Sequence, residues 1–310
     1  MPRRIILDCD PGHDDAIAML LAAGSPAIDL VAVTTVAGNQ TLEKVTRNAL
    51  AVGTVAGLSG VPFAAGADRP LVREAVVAPE YHGESGLDGP ELPEPTIALD
   101  ERHAVDLIVE IVMASEPGDI TLVPTGALTN LALAARREPR IVERVREVVW
   151  MGGAAAGGNL TPVAEYNAAI DPEAADVVLG AGWPVVMVGL DLTHQALADQ
   201  PVLDAIGSVP GRPAAFTLEL LEFFRGTYRM QGFDWPPVHD ACAVAYVADP
   251  GCMRVRRAPI AIELHGALTT GQTVVDLRHA APEGCTTSVA LGLDAPRMWR
   301  GVVDALAALR

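Results

Sequence analysis

The stretch Asp8-Cys9-Asp10-Pro11-Gly12-His13-Asp14-Asp15 places four aspartates within eight residues near the start of the chain. It follows the apolar run Ile5-Ile6-Leu7 and precedes Ala16-Ile17-Ala18-Met19-Leu20-Leu21, a pattern typical of a strand, a turn and a helix. Four carboxylates in one turn repel one another at neutral pH unless some are protonated or a cation lies among them. The stretch therefore predicts a cation site, and hard oxygen ligands favour Ca²⁺ or Mg²⁺.

Apolar segments alternate with helical patterns along most of the chain. Residues 30–36, 119–123, 145–151 and 183–190 read as buried strands, and residues 42–57 and 128–135 as helices. This alternation predicts an α/β fold with an open, mostly parallel central sheet and helices on both faces, Rossmann-like, in a single domain over residues 1–310. Residues 260–264 and 273–277 predict a small C-terminal β-hairpin, and an amphipathic helix is expected from about residue 295.

Composition narrows the class of partner. The formal charge of −17 and the single lysine, Lys44, argue against binding to nucleic acid or to a strongly phosphorylated substrate, and favour a neutral polar metabolite. The four cysteines show no CxxC spacing, and no apolar stretch is suited to a signal peptide or a membrane span. We therefore expect a cytoplasmic protein with reduced thiols and no membrane partner.

Further polar residues follow predicted strands, where ligands bind in sheets of this kind. His239 and Asp240 open another predicted helix. Asp240 is either an N-cap or a carboxylate ligand distant in sequence from the cluster, and the neighbouring His239 is a candidate proton donor to a leaving group. The segment that contains Asn159, Glu165 and Asn167 suits vicinal sugar hydroxyls, or is a solvated loop. Two long loops, residues 79–95 and 225–239, are predicted to act as lids.

Taken together, these residues resemble the nucleoside hydrolase family, in its inosine–uridine preferring branch. The most specific element is the N-terminal aspartate cluster, Asp8 to Ala16. The other matching segments follow in order along nearly the whole chain: Val123-Pro124-Thr125-Gly126-Ala127-Leu128-Thr129-Asn130, Val149-Trp150-Met151-Gly152-Gly153, Glu165-Tyr166-Asn167, Gly189-Leu190-Asp191-Leu192-Thr193-His194 and Val238-His239-Asp240.

The resemblance implies a Ca²⁺-dependent enzyme that cleaves the N-glycosidic bond of purine and pyrimidine ribonucleosides for nucleoside salvage. It implies Ca²⁺ ligands at Asp10, Asp15, Asp240 and the backbone carbonyl of Thr125. Asp10 would also accept a proton from the attacking water, and His239 would donate a proton to the departing base.

The same resemblance implies a nucleoside-binding set. The residues expected around the ribose are Asp14, Asn39, Met151, Asn159, Glu165 and Asn167. His82, Tyr228 and His239 would surround the base, and Trp235 would stack on it or pack the loop that carries it. The family also suggests a homodimer or homotetramer.

Two other functions share part of this residue pattern. A Mg²⁺-dependent haloacid-dehalogenase-type phosphatase also has two aspartates one residue apart, but it needs a later lysine, and none follows Lys44. A calcium-stabilised nucleoside-binding protein without turnover would retain the ligand set. Neither the preferred base nor a role for His13 follows from the sequence, and the segment 233–237 differs from the family's usual lid.

Overall fold

The computed structural model describes residues 1–230 and 232–309 of the chain. The strands among these residues are β1 Arg3–Cys9, β2 Ile28–Thr35, β3 Phe63–Ala65, β4 Ile120–Pro124, β5 Glu147–Met151, β6 Val185–Val188, β7 Met253–Arg257, β8 Ile260–Ile262, β9 Thr273–Val275 and β10 Thr287–Leu293. Eight form one sheet in the order β3-β2-β1-β4-β5-β6-β10-β7, in which only the β10–β7 pair is antiparallel. The predicted mostly parallel sheet is confirmed, as is the separate antiparallel hairpin of β8 and β9.

Helices connect the strands and cover the sheet. They are α1 His13–Gly24, α2 Leu42–Val55, α3 Pro79–His82, α4 Ala104–Ala114, α5 Thr129–Arg137, α6 Ile141–Arg144, α7 Tyr166–Ile170, α8 Pro172–Gly180, α9 Leu190–Thr193, α10 Gln200–Gly207, α11 Arg212–Met230, α12 Asp240–Ala248 and α13 Ala295–Ala308. None of these helices has both the length and the apolar composition needed to cross a bilayer.

Strand β1 shows how the sheet acquires two cores. Its side chains alternate, so Ile5 and Leu7 join one buried cluster and Ile6 joins the other. The first cluster includes Met19 of α1, and the second includes Trp150 of β5. Both faces of β1 are therefore buried, which explains why its sequence is a continuous apolar run rather than an alternating one.

The strand order also indicates where on the sheet a ligand binds. β1 lies between β2 and β4, so the connections that leave β1 and β4 turn toward opposite sides of the sheet. Such a switch point opens a crevice at the carboxyl ends of the strands. The aspartate stretch after β1 and Thr125 after β4 both lie at this crevice.

The predicted lid at residues 225–239 is wrong in its first part, because α11 continues to Met230. Of the aromatic residues in the predicted lid, Tyr228 lies in this helix and continues a buried stripe of Phe216, Leu220 and Phe224 at intervals of four residues. Phe233 and Trp235 lie in the connection that follows. Only residues 232–239, among those described, connect α11 to α12. Within the other predicted lid, residues 79–82 form the single helical turn α3.

Candidate active site

The four N-terminal aspartates occupy a buried turn between β1 and α1. Asp14 and Asp15 lie in the first turn of α1, where the helix dipole stabilises carboxylates, and the backbone N–H of Gly12 donates to Asp15 Oδ2 over 3.0 Å. Asp8 and Asp10 lie at the end of β1 and just beyond it, and all four side chains are at most 5 % exposed. Four carboxylates that are close in sequence are therefore buried together at this turn.

Helix α12 brings a fifth carboxylate to this turn. Asp240 is its first residue, and one side-chain oxygen each of Asp14, Asp15 and Asp240 lies within 4.8 Å of the others. Asp10 lies close by, and its Oδ2 accepts a hydrogen bond of 2.7 Å from the backbone N–H of Asn39. Among the residues that the structure describes, its buried Oδ1 has no hydrogen-bond partner.

Burial makes the charged forms of these groups costly. It raises the pKa of Asp14 to about 7 and the pKa values of Asp10 and Asp240 well above their ordinary range, and the neighbouring carboxylates add to the effect. A divalent cation among them would supply the missing positive charge. The unpartnered Asp10 oxygen and the all-oxygen donor set fit a hard cation such as Ca²⁺.

Thr125 joins the cluster from the end of β4. Its hydroxyl donates to Asp15 Oδ1 over 2.8 Å, and its carbonyl oxygen accepts from Asn167 Nδ2 over 2.8 Å. The same amide nitrogen donates to the carbonyl of Met151 over 3.1 Å. Asn167 therefore connects the ends of β4 and β5 beside the carboxylates.

Glu165 is held by the start of α7, where it is the N-cap residue. Its carboxylate accepts from the backbone N–H groups of Gly153, Asn167 and Ala168 at 2.7–3.1 Å, while burial raises its pKa to about 7. Asn159 is fixed nearby, because its Oδ1 accepts from the backbone N–H of Tyr166 over 2.8 Å. These hydrogen bonds fix the side chains of Glu165 and Asn159 beside each other.

His239 immediately precedes Asp240 and bonds through both ring nitrogens. Its Nδ1 lies 2.7 Å from the hydroxyl of Thr193, and its Nε2 lies 2.8 Å from the hydroxyl of Tyr228. Burial lowers the pKa of His239 to about 3, so the ring is neutral at pH 7. Any proton that His239 gives to a leaving group must therefore come from a neutral hydrogen-bonded ring.

These groups surround one cavity, whose volume out to its open mouth is about 610 Å³. The predicted site residues that line it are Asp14, Asn39, Thr125, Met151, Asn159, Glu165, Asn167, Tyr228, His239 and Asp240. The lining divides by chemistry into carboxylate and amide side chains and a set of apolar and aromatic ones, of which Tyr228 contacts both Phe224 and His239. A ligand with one hydroxylated end and one flat, mainly apolar end matches this division.

Known proteins are similar to this one in sequence and in structure over almost the entire chain. The family profile described as inosine-uridine preferring nucleoside hydrolase matches residues 5–300. The chain belongs to this family. The inosine-uridine preferring nucleoside hydrolase of Crithidia fasciculata is 56 % identical over 308 residues, covering 99 % of this chain and 98 % of that protein.

Other relatives differ in their named preference. The pyrimidine-specific ribonucleoside hydrolase of Photobacterium profundum is 44 % identical, covering 99 % of this chain and 98 % of that protein. The solved purine-preferring ribonucleoside hydrolase of Gardnerella vaginalis is 30 % identical and superimposes with a TM-score of 0.93, covering 99 % of both chains. The predictions of family, fold and N-glycosyl hydrolase are confirmed, and the phosphatase alternative is wrong.

Four predicted site residues of this nucleoside hydrolase do not line the cavity. Asp10 and Asp15 lie beneath its floor, in contact with the lining residue Asn39. His82 packs behind the wall against Phe224. Trp235 is half-buried beneath the guanidinium of Arg225, whose central carbon lies 3.5 Å from the ring centre. In this conformation, His82 and Trp235 pack against other side chains and do not line the cavity.

Sequence reasoning missed several lining residues of the nucleoside hydrolase: Ala78, Glu80, Tyr81, Leu160, Tyr166 and Phe224. Tyr81 and Phe224 had usable clues, since one precedes His82 and the other lies four residues before Tyr228 on the same helix. The rings of Phe224 and Tyr228 meet edge to face with centroids 4.8 Å apart. Only the fold shows that the segments around Ala78 and Leu160 meet across the cavity.

Proposed function

We propose that this nucleoside hydrolase uses Ca²⁺ to cleave the N-glycosidic bond of purine and pyrimidine ribonucleosides, releasing ribose and the free base for nucleoside salvage. The observation that carries the proposal is the buried carboxylate cluster at the floor of a cavity whose other walls are amide and aromatic. We further propose that residues 1–310 act as one domain, in the cytoplasm, as a dimer or tetramer.

Calcium fits the oxygen donors that meet beneath the cavity. We propose Asp10, Asp15, Asp240 and the Thr125 carbonyl as ligands, supported by the unpartnered Oδ1 of Asp10. Asp14 is a further candidate, because its carboxylate shares the grouping with Asp15 and Asp240. When bound, such an ion lowers the pKa of water that it holds and offsets the charge of the cluster.

The ribose would lie on the polar part of the wall. Asp14, Asn39, Asn159, Glu165 and Asn167 present acceptors and donors suited to its hydroxyls, and Met151 provides an apolar contact. N-glycosidic cleavage passes through an oxocarbenium-like state, so positive charge develops on the sugar ring. The surrounding carboxylates stabilise that charge more than they stabilise the neutral substrate.

Asp10 is proposed to accept the proton of the attacking water. Its carboxylate is positioned by the backbone N–H of Asn39, a cavity-lining residue, and its Oδ1 has no hydrogen-bond partner among the described residues. Proton transfer by a positioned side chain typically contributes about 10²–10⁴-fold to the rate.

The aromatic part of the wall is proposed to hold the base. Tyr228 and His239 form a hydrogen-bonded pair there, and this pair would donate to the departing base. His82 and Trp235 would contact the base only if the segments that carry them moved toward the cavity. None of the lining residues among those described is Lys or Arg, so the cavity favours an uncharged nucleoside over its phosphate ester.

A comparison of nucleosides with nucleotides tests this proposal. The protein is incubated with inosine, uridine and their 5′-monophosphates in calcium buffer, and free sugar and free base are measured by chromatography. We expect ribose and base from both nucleosides and no release from the monophosphates. Tight nucleoside binding without release would instead support the binding protein without turnover, and release from the monophosphates would contradict the substrate assignment.

A further inference from the structure

His13 lies in the aspartate stretch but forms no part of the proposed chemistry. Its side chain is fully buried, and its ring stacks on Phe223 and Phe224 with centroids 4.9 and 5.2 Å away and planes within 5° of parallel. Phe224 is a cavity-lining residue. His13 therefore packs directly behind the wall that is proposed to hold the base.

Both ring nitrogens of His13 have close partners, one at the end of α3 and one on the segment that follows it. Nε2 lies 2.9 Å from the backbone carbonyl oxygen of Asp88, and Nδ1 lies 3.0 Å from Nδ1 of His82. A carbonyl oxygen only accepts, so Nε2 of His13 must carry a proton. Burial between two phenyl rings disfavours a second proton, which leaves Nδ1 of His13 as an acceptor.

The facing nitrogen of His82 must then carry a proton. Two unprotonated nitrogens at 3.0 Å would set lone pair against lone pair, whereas a proton on His82 Nδ1 makes this contact a hydrogen bond. The backbone N–H of His13 is also directed at His82 Nδ1, over the longer distance of 3.3 Å, and a proton on that nitrogen replaces this bond with the shorter one between the rings. We assign the proton from the shorter contact, which leaves Nε2 of His82 as an acceptor.

We propose that His13 is a positioning residue that holds His82 in the Nδ1–H tautomer and seats α3 against the start of α1. α3 carries Tyr81, which lines the cavity, so His13 also fixes part of the base-binding wall. The kinetic consequence rests on the proposed function. The tautomer itself does not, and it can be measured in protein that shows no turnover.

Nuclear magnetic resonance of protein with ¹⁵N-labelled histidine tests the tautomer directly. We expect His82, assigned by its loss in His82→Gln, to show a protonated Nδ1 and an unprotonated Nε2 at pH 7. In His13→Leu the ring is expected to change to the Nε2–H form and to accept from the backbone N–H of position 13. A protonated Nε2 on His82 in the wild-type protein, or two protonated nitrogens on His13, would overturn the proposal even if the variant failed to fold.

Steady-state kinetics separate positioning from packing. We expect His13→Leu to lower kcat/KM for inosine about tenfold, the upper range for one hydrogen bond between neutral groups. His13→Gln, which can both donate to Asp88 and accept from His82, should recover part of the loss. The matched control is Phe223→Leu, which removes one stacking ring but keeps both hydrogen bonds and should stay near wild type. Equal losses in His13→Leu and Phe223→Leu, or wild-type kcat/KM in His13→Leu, would contradict the positioning role.

Discussion

Asp10 has one carboxylate oxygen that accepts from the backbone N–H of Asn39 and one that is buried without a hydrogen-bond partner among the described residues. Asp10→Asn keeps the size of the side chain but removes the charge and the proton acceptor. We expect kcat for inosine to fall about 10²–10⁴-fold. The control is Asp199→Asn, at the N-cap of α10, where asparagine caps equally well. Full activity in Asp10→Asn, measured by ribose release, would refute its role as base.

The contribution of His239 to the rate should be larger for a leaving group that must be protonated than for one that leaves as a stable anion. Its two hydrogen bonds, to Thr193 and Tyr228, orient a neutral ring. We expect His239→Ala to slow inosine hydrolysis about 10²–10⁴-fold while sparing an aryl riboside whose acidic phenol leaves as an anion. His103→Ala, at the N-cap of α4, provides the control. Equal losses on both substrates would show that His239 does not assist departure of the base.

The residues that sequence reasoning located best were those whose chemistry is unusual in their local context. Four carboxylates within one turn repel one another, which is unusual for an ordinary surface turn, so the cluster could be predicted from the sequence alone. His82 and Trp235 were harder, because each belongs to a residue type that packs as readily as it binds. The structure turns His82 toward His13 and places Trp235 under Arg225, contacts that depend on distant segments.

At the scale of secondary-structure elements, continuous apolar strands were readily predicted because both faces of the sheet are covered. The end of helix α11 shows the opposite case, since residues 225–230 were predicted to belong to a lid, whereas Tyr228 follows Phe224 by four residues on a buried helical face. Strand β10 went unnoticed because its last three residues are only partly buried and it enters the sheet beside β6, far away in sequence. Its place follows from pairing, which local pattern does not encode.

One hydroxyl joins α7 both to the loop after β2 and to the segment before α3. Tyr166 donates to the carbonyl oxygens of Gly38 and Val76, 2.9 and 3.2 Å away, and its ring lines the cavity. We expect Tyr166→Phe to loosen this segment and raise KM for inosine about threefold to tenfold, with little change in kcat. Tyr246→Phe, on α12 away from the cavity, is the matched control. An unchanged KM in Tyr166→Phe would show that the hydroxyl does not order the segment.

For the whole molecule, the buried acids predict an unusual dependence of stability on pH. The pKa values of Asp8, Asp14 and Glu165 are raised to about 7 by burial, against about 4 in the unfolded chain. Between these values the folded state binds more protons at these three groups, whereas burial lowers the pKa values of His13 and His239 to about 4 and 3, so these rings act in the opposite direction below about pH 6.5. The free energy of unfolding of metal-free protein should therefore fall most clearly as pH rises from about 6.5 to above 7. Urea unfolding in chelator at pH 5, 6, 7 and 8 measures this, and stability that rises between pH 7 and pH 8 would contradict it.

Calcium should reverse this loss, because a bound cation stabilises the ionised carboxylates of the folded state. We expect calcium to increase the free energy of unfolding, and to do so more at pH 8 than at pH 5. Magnesium at equal concentration provides a comparison of ion size. Identical unfolding curves with calcium and with chelator at pH 8 would exclude a calcium site in the cluster.

Hydrolysis is expected to depend on a cation held by the buried carboxylates. The most direct measurement is ribose release from inosine and uridine by one protein sample in calcium, after chelation, and after calcium is restored. We predict release from both nucleosides in calcium, near-complete loss after chelation, and recovery on restoration. Undiminished release in chelator, from protein shown by elemental analysis to be free of metal, would contradict the account.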